Sequence, residues 1–317
     1  MSDTARPAPT VVTFDVTDDL SDEGTLRIEG DAYGDPSHPP VLLLHGGGQT
    51  RHSWGSTAAT LAEAGWYAIA YDQRGHGTSG RSATGHYEPG RFAEDLVEIA
   101  SQLDAAPAIV GASLGGLAGL LAEGVLAPGL FAALVLVDIT PRQEREGVNR
   151  IVSFMLDKAH EGFASLDEAA DAVAGYQPHR SRPRDHSGLK KNLRLGDDGR
   201  WRWHWDPNLF NSDNGLQSAQ EPGRFTHAAA QLTLPTLLVR GRLSDLVSEE
   251  TAREFLELVP HAQFVDVSGA GHMVAGDRND RFCDAVVEFL ATVFDAADDA
   301  THDATHDGAA GSEPPAG

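Results

Sequence analysis

Apolar and polar residues alternate through two early segments, Thr10 to Val16 and Thr25 to Ala32. That period of two predicts strands with one buried face. The polar, glycine-containing stretch from Asp18 to Gly24 predicts the connection between them. Farther on, the pattern changes to short unbroken apolar runs, beginning with Val41-Leu42-Leu43-Leu44. Trp66 to Tyr71, Ala108 to Val110, Leu134 to Val137 and Thr236 to Val239 repeat it, and Ala262 to Val267 reads as the last strand. Such runs belong to strands covered on both faces. Helix-length segments lie between and after them: Trp54 to Ala64, Arg91 to Leu103, Leu114 to Leu126, Ser248 to Leu258 and Asp277 to Phe294. The alternation predicts an α/β fold, a mostly parallel eight-stranded sheet flanked by helices.

The alternation breaks at Pro141, just after the sixth strand. Residues 141–228 are polar and aromatic, with helical patches at Val148 to Ala159 and Leu166 to Ala174 and the unusual stretch Trp201-Arg202-Trp203-His204-Trp205-Asp206-Pro207. They predict a helical cap inserted over one edge of a core formed by 10–140 and 229–294. Residues 1–9 read as a loose arm. Residues 295–317, rich in Asp, Ala and Gly and free of Lys and Arg, read as a disordered acidic tail. The repeated Ala-Thr-His-Asp at 300–307 places His302 and His306 there as solvated residues rather than chelators.

Composition narrows the function. With 317 residues and 41% apolar content, the chain suits one large globular domain plus an insertion. No apolar stretch approaches the roughly 18 residues of a membrane span. The first residues carry no secretory pattern, so a cytoplasmic location is expected. Cys283 is the single cysteine, which excludes an intramolecular disulfide and a cysteine-based zinc site. The net charge of −23 argues against nucleic acid and anionic membranes as partners. A small-molecule substrate, no metal, no cofactor, and a monomer or homodimer are expected.

The candidate chemistry sits at strand ends. Gly111-Ala112-Ser113-Leu114-Gly115 follows one buried strand and opens an apolar helix. A sharp strand-to-helix turn lifts the central side chain above the sheet at a helix N-terminus, so Ser113 is the candidate nucleophile. His45-Gly46-Gly47-Gly48 follows another strand, and glycines let amide N–H groups approach a developing oxyanion. Gly47 and Leu114 are the expected donors. His45 reads as loop support. No phosphate-binding glycine signature is present. A serine needs a base, and among fourteen histidines His272 stands in the loop after the last strand. Asp245, after the strand Thr236 to Val239, is the expected acid, because Ser–Asp–His after successive strands is the common order. Asp138, after Leu134 to Val137, is the rival, and Asp266, inside a strand, reads as structural.

Together these residues resemble the α/β-hydrolase superfamily from about Thr25 to Leu290. The lidded branch, with its bacterial esterases, cofactor-free haloperoxidases, epoxide hydrolases and meta-cleavage-product hydrolases, is most similar. The His45-Gly46-Gly47-Gly48 loop followed by Trp54 resembles its H-G-x-x segment. Tyr71-Asp72-Gln73-Arg74-Gly75-His76-Gly77-Thr78-Ser79 resembles its D-x-R-G-x-G-x-S turn, which implies scaffolding roles for Asp72 and Arg74. The resemblance implies an α/β-hydrolase fold and carries the triad roles to Ser113, Asp245 and His272. Epoxide hydrolases and haloalkane dehalogenases of this branch have aspartate at the elbow. Serine here points to acyl transfer instead.

The expected activity is therefore hydrolysis of carboxylic esters of small molecules through an acyl-enzyme. Perhydrolase, lactonase or carbon–carbon hydrolase chemistry with the same triad is the alternative, and a catalytically silent ligand receptor is the alternative of another class. Gly48, Arg51, His52, Trp203 and Trp205 are candidate substrate-binding residues. Arg51, His52, the cap residues Arg180, Arg182 and Arg184, and Lys190 and Lys191 suggest a substrate bearing a free carboxylate, such as a monoalkyl phthalate.

Overall fold

The computed structural model describes residues 8–18, 24–176, 186–210, 215–216, 223–268 and 280–307. The two alternating segments pair as an antiparallel hairpin, β1 (Thr10–Asp18) on β2 (Gly24–Tyr33), with Phe14, Val16, Leu26 and Ile28 on the buried face. The unbroken apolar runs make the middle of the sheet. They are β3 (Pro40–Leu44), β4 (Tyr67–Tyr71), β5 (Ala108–Ala112), β6 (Ala133–Val137) and β9 (Thr236–Gly241), closed at the far edge by β10 (Gln263–Val267). The eight strands lie in the order β1-β2-β4-β3-β5-β6-β9-β10. All pairings beyond β2–β4 are parallel.

Side chains alternate across this sheet and divide the core in two. Leu42, Leu44, Ile69, Ile109, Leu134 and Leu136 face α2 (Pro89–Ala100), α3 (Leu114–Leu121) and α8 (Glu249–Leu258). Val41, Leu43, Ala68, Val110 and Val135 face α1 (Gly55–Glu63) and α9 (Asp280–Asp307). The chain leaves β3 toward β4 on one side and returns to β5 on the other. The carboxyl ends of β3 and β5 therefore flank a topological switch point, where open α/β sheets form their crevice.

The insertion between β6 and β9 carries α4 (Arg145–Leu156), α5 (Leu166–Tyr176), α6 (Ser187–Lys190) and α7 (Arg224–Ala230). A helical cap was expected, but the insertion is not wholly helical. Leu193–Leu195 (β7) and Trp201–Trp203 (β8) form an antiparallel ribbon, consistent with the alternation of tryptophan and polar residues there. The tail also differs from expectation. Helix α9 continues through Asp307, so 295–307 are helical; four alanines in that stretch favour continuation. Among the described residues no helix is long and apolar enough to cross a membrane.

Candidate active site

Ser113 occupies the turn between β5 and α3 with φ 47° and ψ −113°, outside the regions an L-residue prefers. Close packing enforces this. A Cβ at Gly111 would lie 2.5 Å from the Gly115 carbonyl oxygen, and one at Gly115 would lie 2.5 Å from Leu44 Cβ. The Ser113 amide donates to Val137 O at 3.2 Å, tying the elbow to the end of β6.

The loop after β3 lies beside it, with the Gly46 α-carbon facing Ser113 Cβ. Of three successive glycine amides, two are committed. Gly46 N–H donates to Gln49 Oε1 (3.1 Å) and Gly48 N–H to His76 Nε2 (3.1 Å). The N–H groups of Gly47 and Leu114 have no partner among the described residues, and both residues line the cleft with Ser113. Two open amides beside a strained serine make the arrangement that holds an oxyanion.

Three buried histidines brace this loop. His45 Nε2 accepts from Gln73 N–H (3.0 Å), leaving Nδ1–H for Gly46 O (2.8 Å). His76 Nε2 accepts from Gly48, leaving Nδ1–H for Arg74 O (3.0 Å). His204, from the cap, accepts from Gly77 N–H at Nδ1 (2.8 Å), leaving Nε2–H for Gly48 O (3.2 Å). An amide N–H on one nitrogen requires a neutral ring and fixes each tautomer. Burial accordingly pushes all three imidazoles below their ordinary range, His76 well below it and His204 to about 3.

The two candidate acids, Asp245 and Asp138, stand in different surroundings. Asp245 is 34% exposed and pairs with Arg150 of α4 at 2.8 Å. Asp138 is fully buried one residue beyond β6, on the strand adjoining that of Ser113, with φ 50°. Its carboxylate accepts from Gly241 N–H (3.0 Å) and Ser244 Oγ–H (2.6 Å). Ser244 Oγ itself accepts the amides of Leu246 (3.1 Å) and Val247 (3.0 Å), so its proton is directed at Asp138. Neighbouring residues of the loop after β9 thus diverge: Ser244 turns inward to Asp138, and Asp245 turns outward to the cap. Both aspartates satisfy the chain order, so order alone did not separate them. His272 lies outside the described residues, as do Arg180, Arg182 and Arg184.

Over Ser113 lies a cleft of about 1120 Å³, roofed by the cap. Val148, Ile151, Val152 and Met155 of α4 supply an apolar wall. Trp205 stacks on Trp203 (4.7 Å between rings), and Phe154 stacks on Tyr176 (4.2 Å), so the expected tryptophans do line the cleft. Gly48 also lines it, at φ 74°, where a Cβ would strike Met155 Cε. His52 reaches the cleft as well. Arg51 does not belong to this group. It is buried against Asp72 (2.5 Å), Glu29 (3.0 Å) and Asp31 (3.1 Å), so its charge is spent holding β2 to the turn at Asp72. Arg74 is similarly committed to Asp95, in keeping with scaffolding roles for that turn. Asp266 pairs with Arg240 and Arg242 at the sheet edge. Ser244, His76 and His204 were missed as site residues. The one available signal was the period-two ribbon, which sends Trp203 and Trp205 to one side and His204 to the other. Among the described residues no group of three His, Cys, Asp or Glu side chains is placed to hold a metal.

The sequence matches the family described as alpha/beta hydrolase fold over residues 39–278. It is 31% identical over 266 residues to Esterase Rv0045c of Mycobacterium tuberculosis, covering 82% of this chain and 84% of that protein. It is 26% identical over 266 residues to Esterase YbfF of Escherichia coli, covering 82% of this chain and 96% of that protein. The solved structure of the M. tuberculosis esterase aligns with a TM-score of 0.69 at 27% identity, covering 90% of this chain and 93% of that one.

Proposed function

The chain belongs to the alpha/beta hydrolase fold family, and from that premise we propose that it is a serine esterase acting on small-molecule carboxylic esters through an acyl-enzyme. The observation that carries this reading is the strained Ser113 beside the open amides of Gly47 and Leu114. The similarity to two bacterial esterases supports it.

In this reading Ser113 Oγ attacks the ester carbonyl while His272 takes its proton. The carbonyl oxygen becomes an oxyanion held by Gly47 and Leu114. Collapse expels the alcohol, which receives the proton from His272. Water then adds to the acyl-enzyme by the same route and releases the acid. Asp138 is the acid that orients the imidazole and stabilises its charged form. A second carboxylate buried and hydrogen-bonded beside the elbow suits that role better than Asp245, whose charge is offset by Arg150.

A fluorophosphonate probe and p-nitrophenyl butyrate test both points. Wild type is expected to be labelled and to turn over, and Ser113→Ala to do neither. Asp138→Asn is expected to lower kcat by about 10⁴-fold, with Asp245→Asn within a few-fold of wild type. Labelling of Ser113→Ala at the wild-type rate overturns the nucleophile. The large loss appearing in Asp245→Asn instead returns the acid to that position.

A further inference from the structure

The molecule is strongly acidic, with 47 Asp and Glu against 24 Lys and Arg. Its cleft is not. Among the described residues lining the cavity at Ser113 there is no Asp or Glu, whereas Arg142, Arg145 and Lys191 all line it. Arg142 is matched by Glu250 (3.0 Å) and Glu254 (2.7 Å) of α8. Arg145 and Lys191 form no ion pair among the described residues. Arg145 opens α4, whose N-terminus adds to the positive potential. Asn149, one turn along α4 from Arg145, and Asn192, next to Lys191, line the same cavity and bring amide donors. Arg145, Asn149 and Lys191 are exposed, so they form a cationic, amide-bearing rim at the mouth of the cleft, above the apolar wall of α4.

We propose that the substrate of this site is an ester carrying a second, free carboxylate, bound by Lys191 and Arg145. The inference rests on the esterase reading of Ser113 and adds the substrate class. In a molecule of net charge −23, a small anion is repelled by the surface at large. A cleft with no acid and two unpaired cations among its described lining residues reverses that preference locally, and an apolar stem between the two carboxyl groups fits the Val148, Ile151 and Val152 wall. This replaces Arg51 as the source of charge, since its guanidinium is committed elsewhere.

The test compares two substrates that differ only in that carboxylate: the mono-p-nitrophenyl ester of adipic acid and the same compound with its free acid methylated. At low salt the wild type is expected to favour the free acid in kcat/KM by about fivefold, the upper scale of one exposed ion pair. Lys191→Glu combined with Arg145→Glu is expected to reverse the preference, with the loss in kcat/KM falling on the free acid more than on the methylated substrate. Arg142→Ala is expected to leave the preference intact. Equal kcat/KM for the two substrates in wild type, or equal losses on both in the double variant, overturns the carboxylate site. If the methylated substrate is turned over and Ser113 is labelled, the esterase reading survives that failure. If neither substrate is turned over and no label is taken up, both fall.

Discussion

At the scale of single residues, Gly48 is gripped on both sides, its N–H by His76 and its carbonyl by His204. The amide of Gly47, one residue back, is the open one. Its N–H shares a peptide plane with Gly46 O, which His45 Nδ1–H holds at 2.8 Å, and the grip of His76 and His204 on Gly48 anchors the next residue of the same loop. His204 comes from the cap, so the cap helps to position a donor in the core. Removing one oxyanion donor costs about 10²–10³ in kcat, and misdirecting it costs part of that. His204→Phe is expected to lower kcat by tenfold or more with KM little changed. The affinity for a boronic acid that mimics the tetrahedral intermediate should fall in parallel. A variant that melts earlier but keeps kcat and boronate affinity would assign His204 to packing alone.

At the scale of elements, the first cap helix rides on the loop after β9. Glu144 N–H donates to Leu246 O at 3.0 Å, Arg150 pairs with Asp245, and Gly147 lies directly on the Asp245 carbonyl. That loop also carries Ser244 to Asp138, so the cap's docking and the support of Asp138 share one segment. A Cβ at Gly147 would collide with backbone, which has no rotamer in which to move aside. Gly147→Ala should therefore cost about 1–3 kcal/mol by overpacking, read by denaturant melts, whereas Arg150→Ala should cost less than about 1 kcal/mol. Equal small effects would show that the helix seats elsewhere. The same loop marks where sequence stopped being informative. The sheet was legible because burial on both faces leaves a run such as Val41 to Leu44 with no polar member, and the elbow because Gly111 and Gly115 are required by contact. The choice between Asp138 and Asp245 was not legible. It depends on which way one loop residue turns, and both follow strands in a permitted order. The cap ribbon left only a short trace, the alternation of tryptophan and polar residues from Trp201, because three-residue strands are too short to fix a period by themselves.

At the scale of the whole molecule, two electrostatic effects compete as the solution is acidified. Titrating toward the isoelectric point near 4.8 removes the self-repulsion of a −23 charge. Against this stand His45, His76 and His204, each neutral in the folded state with its proton-binding affinity lowered by burial. Once unfolded they take up protons below about pH 6.5. Between that value and the lowered folded values, the unfolded chain binds more protons, so stability rises with pH and is lost as pH falls. Three such groups give a slope of up to about 4 kcal/mol per pH unit. Surface repulsion is largely screened at 0.15 M salt, where charges farther apart than about 8 Å scarcely interact. The histidines should therefore win. The urea midpoint at that salt is expected to fall steadily from pH 7 to pH 5, even as net charge shrinks. A midpoint that instead climbs toward pH 5 would mean that relief of self-repulsion outweighs the three neutral rings.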